Sequence, residues 1–316
     1  MKVCILLSVV ALAYAADHRI LTDEFINEIN SKATTWKAGR NFPADTPLSY
    51  FKALASLKGI NNNPNFTVPV VKHQIKDDLP GSFDARNTWP ECESIREIRN
   101  QGACGSCWAF GAVETMSDRL CIFTAGAQKF TFAPEELISC CSACGFGCNG
   151  GYLLQPFEYW QSTGIPSGGD EGSNYGCRPY TAATSGQTPQ CNQRCVSGYG
   201  KSWAEDIRHG IAAYQISPGQ NDMKYEVVVN GPIEVAFDVY EDFYNYRGGV
   251  YYHTSGNFVG GHAVKIIGYG NQDGSDYWLV ANSWGTGWGE GGFFKIRRGN
   301  NECNIETYPT AGIPQT

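Results

Sequence analysis

The order of apolar and polar positions divides this 316-residue chain into stretches of different character. After Met1-Lys2 an apolar run extends from Val3 to Leu12 and ends in Ala13-Tyr14-Ala15. A charged start, a short apolar core and a small-x-small end predict a secretory signal peptide over residues 1–15. Thr22-Asp23-Glu24 then precedes Phe25, Ile26 and Ile29, a cap followed by an apolar stripe at helical spacing. A second helix is predicted from Ser49 to Leu57, and Asn61-Asn62-Asn63-Pro64 ends regular structure. Trp108, Phe110, Val113, Met116 and Leu120 restore the helical period. From Tyr225 onward the pattern turns to strands. Residues 233–239 alternate, and residues 249–252, 263–269, 277–280 and 292–296 are rich in β-branched and aromatic side chains. The fold class is therefore α+β, with a helical lobe, a β-rich lobe and a cleft between them as the natural site.

Composition changes this picture at one point. The net charge of −7 leaves no basic footprint for nucleic acid. No run after the first is long enough to span a membrane. The thirteen cysteines carry more information. Cys4 leaves with the signal, and eleven of the remaining twelve lie between Cys92 and Cys195. An exported chain meets an oxidising compartment, where cysteines pair. The cluster Cys140, Cys141, Cys144 and Cys148 also has a zinc reading. Disulfides are preferred to it in so cysteine-rich a chain, and neither metal nor cofactor is expected. Residues 16–78, in contrast, hold no cysteine. They read as a propeptide ahead of a body that begins near Leu79; as an independent domain they have too few apolar residues for a core. Asn65-Phe66-Thr67 is an N-glycosylation sequon.

The chemistry concentrates in Gln101-Gly102-Ala103-Cys104-Gly105-Ser106-Cys107-Trp108-Ala109-Phe110, a glycine-punctuated turn running into a helix. Cys107 falls at the helix N-terminus, where open N–H groups and the dipole favour a thiolate. Taken alone, Cys104 and Cys107 could equally be structural. A nucleophile needs a base and the base an orienting group. Of the three histidines in the body, His209 follows Arg208 in a polar region read as helical, and His253 ends a tyrosine-rich strand. His262, in Gly260-Gly261-His262-Ala263-Val264, sits at the edge of a rigid apolar strand and is favoured. Asn282, in Val280-Ala281-Asn282-Ser283-Trp284, could accept the far imidazole N–H, with Trp284 shielding that bond.

Together these motifs resemble the papain-like cysteine proteases, and within them the cathepsin B group. Residues 35–39, 79–86, 148–152, 176–180 and 311–314 carry the same resemblance, which thus covers the chain from the pro-region on. It implies a papain-like two-lobed fold, with a helical left lobe and a β-barrel-like right lobe. It also implies an endopeptidase with Cys107 as nucleophile, His262 as its acid–base partner and Asn282 as the orienting group. The Gln101 side chain and the Cys107 N–H would form the oxyanion hole. Gly150, Gly151, Tyr152, Gly261, Ala263, Trp284 and Tyr308 would line the substrate cleft. The implied disulfides are Cys92–Cys121, Cys104–Cys148, Cys140–Cys191, Cys141–Cys144 and Cys177–Cys195, leaving Cys107 and Cys303 free. Residues 16–78 would be an inhibitory propeptide and 79–316 the mature peptidase domain. The expected partners are protein and peptide substrates, the chain's own propeptide and cystatin-type inhibitors. The enzyme is expected to be a monomer in a lysosome, another acidic vesicle or the extracellular space.

Two positions depart from the cathepsin B pattern. Residues 179–190 lack the histidine pair that anchors a substrate's C-terminal carboxylate, which predicts little peptidyl-dipeptidase activity. Tyr308 stands where that group has a glutamate in the S2 pocket, which predicts Leu, Val or Phe at P2 over Arg.

Overall fold

A computed structural model of the chain describes residues 19–60, 69–75 and 78–316. The predicted signal peptide and Asn65 lie outside the described residues. Helix α1 (Asp23–Lys32) is capped by Thr22, whose hydroxyl accepts from the Phe25 N–H at 3.2 Å, and it buries Phe25 and Ile29. Helix α2 spans Leu48–Leu54. It stops three residues short of the expected Leu57, because the chain there becomes extended and pairs with the body.

Helix α3 (Cys107–Phe123) forms the spine, and every residue from Cys107 to Cys121 is buried. A helix covered on all sides belongs between two layers. On one side it meets helices α4 (Pro134–Cys140) and α5 (Gln155–Ser162) in a core with Trp108, Met116, Phe132, Phe157 and Trp160. On the other it packs on the sheet. Helix α6 (Gln220–Asn230) lies against the sheet lobe.

The strands are β1 (Trp36–Ala38), β2 (Val70–Val71), β3 (Phe83–Asp84), β4 (Gly210–Ile216), β5 (Ile233–Tyr240), β6 (Tyr246–Tyr251), β7 (Phe258–Gln272), β8 (Ser275–Ala281), β9 (Phe293–Arg297) and β10 (Thr310–Pro314). Their order is β1-β6-β9-β8-β7-β5-β10-β4-β2, with β3 paired to β7. Both ends of this path are strands from before residue 79. β1 adds antiparallel to β6, and β2 adds parallel to β4. Ile20, Leu21, Phe25, Ile29, Trp36, Phe51 and Leu54 join the sheet's own core of Val235, Phe243, Tyr246, Tyr251 and Phe294. The N-terminal segment is therefore neither loose nor a separate domain; its apolar stripe finds its partner in the body. His209, read above as lying in a helix, instead leads into β4, because the one-turn helix before it ends at Asp206.

Candidate active site

The loop before α3 is held from both sides. The Cys104–Cys148 disulfide ties it to the glycine-rich loop, and the Gly105 N–H donates to the Cys148 carbonyl at 2.9 Å. The Ala103 N–H donates to the Ala183 carbonyl at 2.7 Å. Ser106 is the residue before α3, yet its hydroxyl does not cap the helix; it pairs with the Tyr180 hydroxyl at 2.8 Å. The Ala109 N–H already donates to the Ser106 carbonyl at 2.9 Å, whereas the Cys107 N–H makes no backbone hydrogen bond and stays open at the start of α3.

Across the cleft, β5 and β7 pair Phe237 with His262 and Asp238 with Gly261. This register puts Ala263 and Ala236 beside Cys107 in one buried cluster with Leu153, with His262 next to Ala263 along β7 and its ring 5.8 Å from that of Phe237. His262 Nε2 meets Asn282 Oδ1 at 2.8 Å, and the Ser283 N–H donates to the same oxygen at 2.8 Å. Asn282 thereby fixes the ring through one nitrogen. Nδ1 makes no hydrogen bond of normal geometry, with only the Leu54 backbone acting on the ring beside Asn282, and it is the nitrogen left for a thiol. The Trp284 ring lies 4.9 Å from the imidazole and covers it. Gln101 is fully buried. Its side-chain oxygen accepts from Ser283 Oγ at 2.8 Å, and its amide nitrogen donates to the Cys104 carbonyl at 3.0 Å. An amide nitrogen carries two hydrogens, so one remains unspent. Ser283, which the sequence reading passed over, thus orients Gln101.

The chain crosses this cleft with its own residues 55–60. The Leu57 N–H donates to the Gly261 carbonyl at 2.9 Å, the Lys58 N–H to the Gly151 carbonyl at 2.8 Å, and the Leu153 N–H to the Gly59 carbonyl at 3.2 Å. Gly150, at φ +102°, lies against the backbone of the crossing segment: a Cβ there would sit 2.0 Å from the Ser56 carbonyl oxygen. Leu57 packs against Cys107, Leu153, Ala236 and Ala263. Cys107, His262 and Asn282 are all inaccessible to solvent.

Burial sets the electrostatics of this covered state. It raises the Cys107 thiol, against the Ala263 and Ser56 backbone groups that favour the thiolate. It lowers His262 to about 4, with Asn282 and the Leu54 backbone opposing. Both groups are therefore held neutral while the segment is in place. Glu234, buried beneath Gly111 of α3 without a hydrogen-bond partner, is pushed well above the carboxylate range by burial. Where Glu234 ionises, its charge adds to the burial that raises the Cys107 thiol.

A cavity of about 410 Å³ opens beside Leu57, lined by Ala236, Asp238, Phe258, Asn304 and Tyr308 among others. Glu306 does not reach it: its carboxylate accepts from Trp278 Nε1 at 3.0 Å and from the Gly299 N–H at 2.6 Å. Asp238, not singled out from the sequence, faces the cavity from β5 and accepts from Asn304 Nδ2 at 2.6 Å. The other body histidines serve packing. His253 stacks on Tyr240 at 3.8 Å, and the His209 ring lies under Gly164. Ten cysteines form the pairs Cys92–Cys121, Cys104–Cys148, Cys140–Cys191, Cys141–Cys144 and Cys177–Cys195, and Cys107 and Cys303 are free. Among the described residues no cluster could hold a metal ion, and no helix is long and apolar enough to cross a membrane.

A thiol, an imidazole and an amide in a cleft plugged by the same chain define a class, and the chain belongs to it by sequence: it is a papain-family cysteine protease carrying a propeptide. The model of the papain family cysteine protease matches residues 79–313, and that of the peptidase family C1 propeptide matches residues 21–55. Its relatives include a gut-specific cysteine proteinase of Caenorhabditis elegans, 52% identical over 74% of this chain and 73% of the other. Cathepsin B-like cysteine proteinase 6 of the same organism is 44% identical over 93% of this chain and 83% of the other. Among solved structures, procathepsin B S9 from Trypanosoma congolense superposes with a TM-score of 0.83 at 37% identity, covering 94% of this chain and 99% of that one.

Proposed function

We propose that the protein is a secretory zymogen of a cysteine endopeptidase, with residues 16–78 as propeptide and 79–316 as the mature domain. Once the cleft is open, water returns to Cys107 and His262, and the thiolate–imidazolium pair that burial suppresses can form. The thiolate attacks the peptide carbonyl carbon, and the free hydrogen of the Gln101 amide and the Cys107 N–H receive the developing oxyanion. His262 gives its proton to the leaving amine through Nδ1, and water then hydrolyses the thioester. Gly151 and Gly261 supply backbone carbonyls to an extended substrate, the positions now used by Lys58 and Leu57. The observation that carries this reading is the pairing of the open Cys107 N–H at the start of α3 with an imidazole whose Nδ1 is left for the thiol.

Endopeptidase action is favoured over dipeptide release by the stretch after Cys177. It packs on Ala103, contains no histidine, and its flanking Arg178 is committed to Glu136. The test is cleavage of one internally cleavable peptide with its C-terminus free or amidated. Equal rates and internal products are expected from the processed enzyme. Preference for the free acid with stepwise loss of dipeptides would overturn the assignment, and loss of activity in Cys107→Ala is the control.

A further inference from the structure

The propeptide family model ends at residue 55, yet the chain makes a second set of contacts well beyond it. Residues 69–75 (Pro69, Val70, Val71, Lys72, His73, Gln74, Ile75) lie on the outer edge of the sheet lobe, where β2 extends the sheet past β4. The register is Val70 to Gln215 and Val71 to Ile216, parallel. The Gln215 N–H donates to the Pro69 carbonyl at 3.0 Å, and the Ser217 N–H to the Val71 carbonyl at 2.8 Å.

The strand then ends in a socket on α6. The His73 N–H donates to Asp222 Oδ1 at 2.7 Å, its ring lies 4.5 Å from the Tyr225 ring, and its Nε2 meets Glu226 Oε2 at 2.6 Å. Glu226 is fully buried. Its other oxygen accepts from Arg119 Nη2 at 2.8 Å and from the Tyr214 hydroxyl at 2.6 Å. The body already holds this buried carboxylate through Arg119, Tyr214 and Asn230, and His73 adds a partner at Oε2. None of these contacts involves the cleft.

We propose that residues 69–75 are a second, cleft-independent anchor of the propeptide, a short strand plus an imidazole seated between Asp222 and Glu226. It keeps the tail docked after the cleft-crossing stretch has been hydrolysed. This rests on the zymogen reading above. Maturation is then two hydrolyses, each adding one water across a peptide bond. The first frees the cleft, and the second, near residue 78, waits for the strand to leave β4.

The test uses the full chain with Cys107→Ala, which cannot process itself, and a trace of processed wild-type enzyme. N-termini are followed by mass spectrometry. A species retaining residues 69–75 should accumulate, and His73→Ala should shorten its lifetime by about 10-fold, the size expected for one hydrogen bond to a charged group. Asp222→Ala should act in the same direction. In the uncut protein, amide exchange at Gln215 and Ser217 should accelerate in His73→Ala while Leu57 and Lys58 stay unchanged. Equal lifetimes, or loosening of all four amides together, would overturn the proposal. If the added enzyme cuts nothing, the protease reading fails, and the exchange pattern still decides this one.

Discussion

Lowering the pH from 7 to 4 should loosen the cleft-crossing segment about 100-fold through His262 alone. With the segment in place, burial holds the imidazole at about 4, whereas a solvated histidine titrates near 6.5. Between these values the open state binds more protons than the covered one. The covered state thus has its full stability above pH 6.5 and loses it as the pH falls through 4. The gap corresponds to about 3 kcal/mol, hence the 100-fold. The Glu28–Ser255 contact should survive across this window, because Lys32 and Ser255 hold the Glu28 carboxyl down at about 2. The effect is best isolated in Cys107→Ala, where no thiolate can pair with the ring. Opening is read as amide exchange at Leu57 and Lys58, corrected for the intrinsic pH dependence of exchange, and compared with Cys107→Ala/His262→Gln. The single variant should steepen below pH 6.5 and the double variant should lack that component. Parallel curves would show that the ring does not couple cleft opening to acid.

Two further outcomes follow from the site. Asn282→Ala removes the 2.8 Å contact to His262 Nε2 and should lower kcat/KM by about 10- to 100-fold, the cost of one hydrogen bond to a charged group. An unchanged kcat/KM would show that the ring is positioned by packing under Trp284 instead. In a panel varying P2, Leu should exceed Arg in the parent enzyme, and Tyr308→Glu should raise Arg relative to Leu by about 10-fold. A parent already preferring Arg would point to Asp238 as the recognising carboxylate.

The proposed trio of Cys107, His262 and Asn282 could be picked out because each member sits in a short motif whose spacing fixes local geometry: a turn into a helix, glycines before a strand, an asparagine ending a strand. Their convergence across the cleft could not be, since it depends on the Phe237–His262 register of β5 and β7. Asp238 escaped notice for the same reason, as alternation gives a face but not what that face meets. The strands β1 and β2 are three and two residues long, too short to show a period, and they exist only because the body offers them an edge. Helix α6 was missed because its apolar residues form no stripe; Glu226 is buried there by its ion pair with Arg119.

The shared hydrophobic core bears on the enzyme's lifetime. Trp36 stacks on Tyr246 and packs edge-on to Tyr251, and Phe51 lies 4.6 Å from Tyr244, so the native sheet lobe is assembled around residues that maturation removes. The processed chain then keeps a shape without part of the sequence that specified it. Its persistence becomes a matter of how slowly it unfolds, not of the balance between folded and unfolded forms. Full-length chains diluted from denaturant should regain the fold, whereas processed chains treated alike should be recovered poorly.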